Sequence, residues 1–336
     1  METEHHVDLT SSEIANIWMV YQESTMSICV IKYFLANIQD TEIQNILELG
    51  LHYSQTRAQQ ITAMFSNEQL PVPDGFSEEN DLHLQAPRLF TDIMYLIYMQ
   101  NRAKIALETF TLALTESTRS DQRQFFSNCI NQAVELFNKA TELMLSKGIL
   151  SRPPHIPKSK QIEYVQKQSF LTGWFGERRP LNVIEMSNVF SNLIQNIIGK
   201  EIITGFSQVA KSQDVRNYMV RGKQIAAKQV EIFGSTLSKD NLSPASKWGI
   251  EATDSIVAPF SDKLMMFHIT AMIGIAIGDF GTSFGRSLRH DLGALYTRLM
   301  AEIAQYAEDG VNIMIENGWL EQPPQAPERD QLANKK

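Results

Sequence analysis

KGILSRPPHIP (147–157) and NGWLEQPPQAP (317–327) carry Gly, Leu, Pro-Pro and a final Pro at the same places, 170 residues apart. In both, an apolar periodic run stops at the glycine. A residue at that point closes a helix in the left-handed conformation, and the prolines beyond forbid its continuation. Outward from this pair the correspondence continues. Phe90-Thr-Asp matches Phe260-Ser-Asp, and Asp121 matches Asp291, at the same offset. Near the start, Glu13 and Asn16 pair with Glu185 and Asn188 at an offset of 172. The slip of two residues falls between the second and third helices of each copy, where a loop absorbs it. Ordered matches at nearly constant offset mark an internal duplication.

Each copy has helical periodicity throughout, and no run alternates as a strand with hairpin turn signals. Helices are expected over 11–38, 41–66, 89–116 and 121–147 in copy one, and over 183–210, 213–237, 260–287 and 290–317 in copy two. Thr10-x-x-Glu13 and Asn182-x-x-Glu185 are capping boxes. Asp40 and Ser212 are expected to cap the second helices, with Ser120 and His290 near the fourth-helix starts. Two or three residues join the first and second helices, and the third and fourth, so each pair is an antiparallel hairpin. About 22 residues separate the second from the third. A 26-residue helix is about 39 Å long and that connection reaches about 70 Å, enough to run the bundle length. The fold class is therefore all-α: two tandem ferritin-like four-helix bundles, each of two helical hairpins with a long crossover between helices 2 and 3. The expected division is 1–157 first bundle, 158–181 linker, 182–327 second bundle and 328–336 flexible tail.

At 336 residues the chain suits two domains, each large enough to bury its own core. A net charge of −8 argues against general affinity for nucleic acid or an anionic membrane. Cys29 and Cys129 are too few for a disulfide scaffold and fit a reducing compartment. The opening METEHHVDL lacks a signal-peptide pattern, so a cytoplasmic location is expected. Leu264–Gly278 is uncharged but only 15 residues long, short of the about 20 that span a bilayer, so a buried core helix is expected there.

The segments GWFGERRPLN (173–182), GFSQVAKSQDVRNY (205–218), APFSDKLMMFH (258–268) and NGWLEQPP (317–324) resemble the tandem-repeat proteins of spore-forming Firmicutes grouped as domain of unknown function 3231. The resemblance covers essentially the whole chain. It implies a ferritin-like helical bundle per copy and a link to spores, since some members carry a spore-coat label. It implies no activity and supplies no catalytic residues.

A carboxylate-bridged two-metal site needs Glu on two helices and Glu-x-x-His on the other two. The helix interiors offer Glu23, Glu48, Glu108 and Glu135 in copy one and Glu201, Glu231 and Glu302 in copy two, with no Glu-x-x-His. His52 shares a face with Glu48, but two ligands make no cage. Neither metal, cofactor nor catalytic residues are expected. His268 sits mid-helix among apolar residues, level with Glu308 and Asp309 across the next turn. Such a trio is the candidate cofactor-binding set; a satisfied core histidine is the plainer reading. Arg178 and Arg179, before a helix start, could receive an anion. The blander account is a linker turn with Trp174 and Phe175 packing between the copies.

Gly274, Gly278, Gly281 and Gly285 fall on one stripe of the third helix of copy two, where copy one has Lys104, Glu108, Thr111 and Thr115. Glycine costs about 1 kcal/mol per exposed helical position relative to alanine, so the stripe predicts close approach of another backbone: copy one, a second chain, or its own bundle. These four glycines, with Trp174 and Phe175, are the interface candidates. The expected function is a non-catalytic structural or interaction protein, spore-associated through the resemblance. It is an intramolecular pseudo-dimer of the two repeats and a candidate homodimer, with neither nucleic acid nor membrane as partner. The alternative is a metal- or small-molecule-binding protein, or an enzyme, using the interior of the second bundle.

Overall fold

The computed structural model describes residues 7–158, 160–173, 178–244 and 249–329. The first repeat contains α1 (Ser11–Asn37), α2 (Thr41–Asn67), a single turn α3 (Glu78–Asp81), α4 (Asp92–Glu116) and α5 (Ser120–Ser146). The second contains α6 (Val183–Val209), α7 (Gln213–Ser238), α8 (Asp262–Arg286) and α9 (His290–Glu316), after a short 3-10 turn at Gln168–Leu171. Among the described residues the chain is all-α, with two isolated bridges and no strand. The repeats are thus tandem helical bundles, each of two antiparallel hairpins packed together.

Two carboxylates per repeat set that packing. Glu13, on α1, accepts the Thr118 and Arg119 N–H groups in the turn between α4 and α5, both at 2.8 Å. Asp92, at the start of α4, accepts the Gln39 and Asp40 N–H groups between α1 and α2, at 3.3 and 2.9 Å. Each hairpin's turn is therefore tied by a carboxylate from the other hairpin. The second repeat does the same, with Glu185 on Leu288 and Arg289 (3.2 and 3.1 Å) and Asp262 on Lys211 and Ser212 (2.9 and 2.7 Å). These ties put the α1 N-terminus beside the α4 C-terminus, so α4 runs parallel to α2 and the crossover traverses the bundle. Burial alone would raise the Glu13 pKa. The backbone donors of Arg119, Thr10 and Thr118 overcome it and hold the value at about 2.

Both capping boxes and the Asp40 cap form as expected. Ser212 makes no side-chain cap; Asp262 binds the backbone N–H groups of its turn. Ser120 and His290 are the first helical residues rather than caps; Arg119 and Arg289 precede them and pair with Asp121 and Asp291, the second residues of their helices. Gly148 and Gly318, at φ of +68° and +67°, close their helices as the Pro-Pro segments predict.

The two repeats do not bury separate cores. The larger apolar cluster draws on α1, α2, α4 and α5 and on α6 to α9 alike, and a smaller one around Ile17, Phe65 and Phe126 fills one end of the first repeat. The crossovers pair with each other, through antiparallel bridges Leu82 to Phe260 and Phe90 to Ala252. Leu82 and Ala252 are equivalent at the 170-residue offset, as are Phe90 and Phe260, so the two bridges are the same contact seen from either side of a local two-fold. The His83 N–H to Pro259 carbonyl bond (2.8 Å) and the Thr253 N–H to Leu89 carbonyl bond (2.9 Å) accompany them. Phe90 then packs its ring on α6, where Gly205 leaves room; a Cβ there would lie 2.5 Å from that ring.

The α8 helix is long and apolar enough to cross a membrane by length and composition, and 39% of its most apolar window is buried. One of its faces completes the shared core and the other is open.

Candidate functional site

Three places in the fold hold groups that could carry chemistry or recognition. The first is the interior of each bundle, where an equivalent cavity opens in both repeats. In the first repeat it is about 40 Å³ and lies among α1, α2, α4 and α5. In the second it is about 100 Å³ and lies among α6 to α9, with Asn101 and Ile105 of α4 completing its wall. Gly50 and Gly222 stand at equivalent wall positions; a Cβ would come within 2.2 Å of Met99 at the first and 2.1 Å of the Tyr306 hydroxyl at the second.

The two linings differ in kind. The first repeat places Glu23, Arg57 and Arg102 around its cavity, with the buried hydroxyls of Ser27 and Ser54. The Arg102 guanidinium lies 3.6 Å from the Glu23 carboxylate and donates to Ser27 Oγ. Arg57 donates to Ser54 Oγ at 3.3 Å and to Gln132 Oε1 at 3.4 Å, and its guanidinium lies 5.4 Å from the Phe110 ring centroid. Burial, and after it the positive charge of Arg102, lower the Arg57 pKa. In the second repeat the same positions hold Gln195, Gln229 and Met272, with Gly199 and Ala226 for the serines, leaving a mostly apolar chamber. Sequence reasoning examined Glu23 as a ligand but passed over Arg57 and Arg102. Aligning interior positions between the copies would have exposed them as charges facing inward.

The second place is the contact between repeats. His268 is buried at the centre of the molecule, with Nε2 at 3.3 Å from the Tyr98 hydroxyl and its ring between those of Tyr98 and Phe206. The expected carboxylate partners are not there. Glu308 is exposed, and Asp309 pairs with Arg221 at the surface. Counting back from the turn levels 268 with 308 along the axis, but His268 faces the first repeat while Glu308 and Asp309 lie on the outer side of α9. Burial, with a contribution from Arg102, lowers the His268 pKa to about 3, and burial raises that of Tyr98 to about 12. Both are neutral at ordinary pH, so the pair is a hydrogen bond in a core and not a proton relay. Tyr98 and His268 are equivalent residues (98 plus 170), meeting across the local two-fold.

The third place is the glycine stripe. Gly274, Gly278, Gly281 and Gly285 are all exposed. A Cβ on Gly274, Gly278 or Gly285 would meet nothing within 4 Å, and one on Gly281 only the Met300 sulfur at 4.0 Å. Among the described residues, neither the first repeat nor the helix's own bundle covers the stripe. Phe284 and Leu288 beside it are 48% and 51% exposed. In the first repeat Lys104, at the Gly274 position, instead donates to Ser191 Oγ of α6 at 3.1 Å.

The remaining candidates hold no open site. Arg178 pairs with Asp240 at 2.9 Å, and Arg179 makes a bidentate pair with buried Glu185 at 2.7 and 2.8 Å while lying over the Phe170 ring. These arginines are already neutralised and do not form the anion site their position suggested. Trp174 and Phe175 lie outside the described residues. Glu48 and His52 are exposed, and Glu48 accepts from Gln44 at 2.7 Å.

The model of the family described as "Protein of unknown function (DUF3231)" matches residues 2–162 and again residues 169–332. The chain belongs to this family. Its two matches coincide with the two repeats, and the DUF3231 repeats meet through Tyr98 of one and His268 of the other. Among solved structures, a "putative spore coat protein" from Bacillus halodurans is similar at 18% identity and a TM-score of 0.41, covering 45% of this chain and 98% of that one. No curated protein matches the chain.

Proposed function

We propose that this DUF3231 protein acts by association: a non-catalytic structural or interaction protein, a pseudo-dimer of its two repeats, whose α8 face receives a second copy of the chain. The observation that carries the reading is the uncovered glycine stripe. Four glycines weaken a solvent-exposed helix by about 1 kcal/mol each relative to alanine, and no contact among the described residues offsets that. Small residues on one stripe let two helix backbones approach closely, and the apolar side chains of Phe284 and Leu288 flank the approach.

The occupant follows from the count of such faces. Only the second repeat carries the stripe, since Lys104, Glu108, Thr111 and Thr115 stand there in the first. One self-complementary face per chain closes a two-fold dimer and cannot extend into a filament. A spore setting belongs to this reading through the family resemblance alone.

Light scattering coupled to size exclusion tests it. The wild-type chain is expected at twice its monomer mass, and Gly278→Leu at monomer mass. The substitution should leave the intramolecular fold intact, because a Cβ at Gly278 meets nothing within 4 Å. A wild-type protein that stays monomeric at all concentrations would refute the dimer.

A further inference from the structure

The first-repeat cavity holds a charge imbalance. Glu23, Arg57 and Arg102 face it from α1, α2 and α4, giving two guanidiniums for one carboxylate. Glu23 lies 3.6 Å from Arg102. Arg57 has only neutral partners, the hydroxyl of Ser54 and the amide of Gln132, and its buried Nε has no hydrogen-bond partner among the described residues. The other groups lining the cavity from α2 and α5, Tyr53 and Gln132, add no negative charge; Tyr53 donates outward to Glu135, and burial raises its pKa to about 12. A half-buried cation without a counter-charge is costly. Nothing in the fold requires it, since the second repeat builds the same cavity with Gln229 for Arg57 and Met272 for Arg102.

We propose that the cavity of the first repeat binds one small carboxylate, of formate or acetate size, between the Arg57 and Arg102 guanidiniums. A planar guanidinium presents paired N–H donors that match a carboxylate's two oxygens. The terminal nitrogens of Arg57, held only by neutral groups at 3.3 and 3.4 Å, are the donors for one of them, and the bound charge balances the cavity. Size limits the ligand. At about 40 Å³ the space holds about three water-sized atoms, the size of one carboxylate group. This site is independent of the α8 face; either can fail alone.

Isothermal titration of sodium formate and sodium acetate into the full chain, at constant ionic strength, tests the assignment. One saturable site per chain is expected, weakened about tenfold or more in Arg57→Gln, which installs the second repeat's own residue. Gln132→Glu, which places a carboxylate beside the Arg57 guanidinium, should abolish the binding while raising the melting temperature. That second variant keeps the test open if Arg57→Gln fails to fold. Absence of saturable heat, unchanged affinity in both variants, or chloride binding as tightly as formate would overturn the proposal.

Discussion

At the residue scale, His268 shows what a helical register can and cannot tell. Its burial was legible, because it sits among Met265, Met266 and Ile269 in an uncharged run. Its partner was not, because the group it meets, Tyr98, is 170 positions away. Its folded pKa of about 3 lies below the ordinary histidine value of 6.5. A group depressed in this way contributes stability that is present above pH 6.5 and is lost as pH falls toward 3. The His268 ring signals are therefore expected not to titrate between pH 8 and pH 5 in an NMR series, and His268→Phe should flatten the decline of stability below pH 6.5. A ring that protonates near 6.5 in the folded protein would contradict its placement between the repeats.

At the element scale, what was legible is what is local. The capping boxes at Thr10 and Asn182 and the closures at Gly148 and Gly318 involve residues within a turn of one another, and each forms where the sequence puts it. The starts of α5, α7 and α9 were read less well. Their turns are held by Glu13, Asp262 and Glu185, carboxylates 50 or more positions away in the chain. Those same ties set which hairpin lies against which. Asp262→Ala removes the acceptor for two backbone donors at the turn between α6 and α7 and is expected to cost about 1–2 kcal/mol in urea unfolding, with no change in the m-value. A loss below a few tenths of a kcal/mol would mean that water serves that turn equally well.

At the scale of the whole molecule, the duplication was plain because offset matches survive divergence. That the repeats share one core was not, since apolar periodicity says which face is buried but not against what. The two copies have diverged most where they face inward and outward. One interior is charged and the other apolar; one third-helix face carries Lys104 and Glu108 and the other glycine. The glycine face was legible as a stripe, and its exposure needed the fold. If a second copy of the chain covers it, the two helices cross with their backbones close enough for a disulfide, and Cys29 and Cys129, both buried, do not compete. The most direct measurement is mild oxidation of a Gly278→Cys variant, with Leu112→Cys on the exposed side of α4 as the control. A covalent dimer formed rapidly by Gly278→Cys and not by Leu112→Cys is the predicted result; equal and slow cross-linking of both would contradict association through α8.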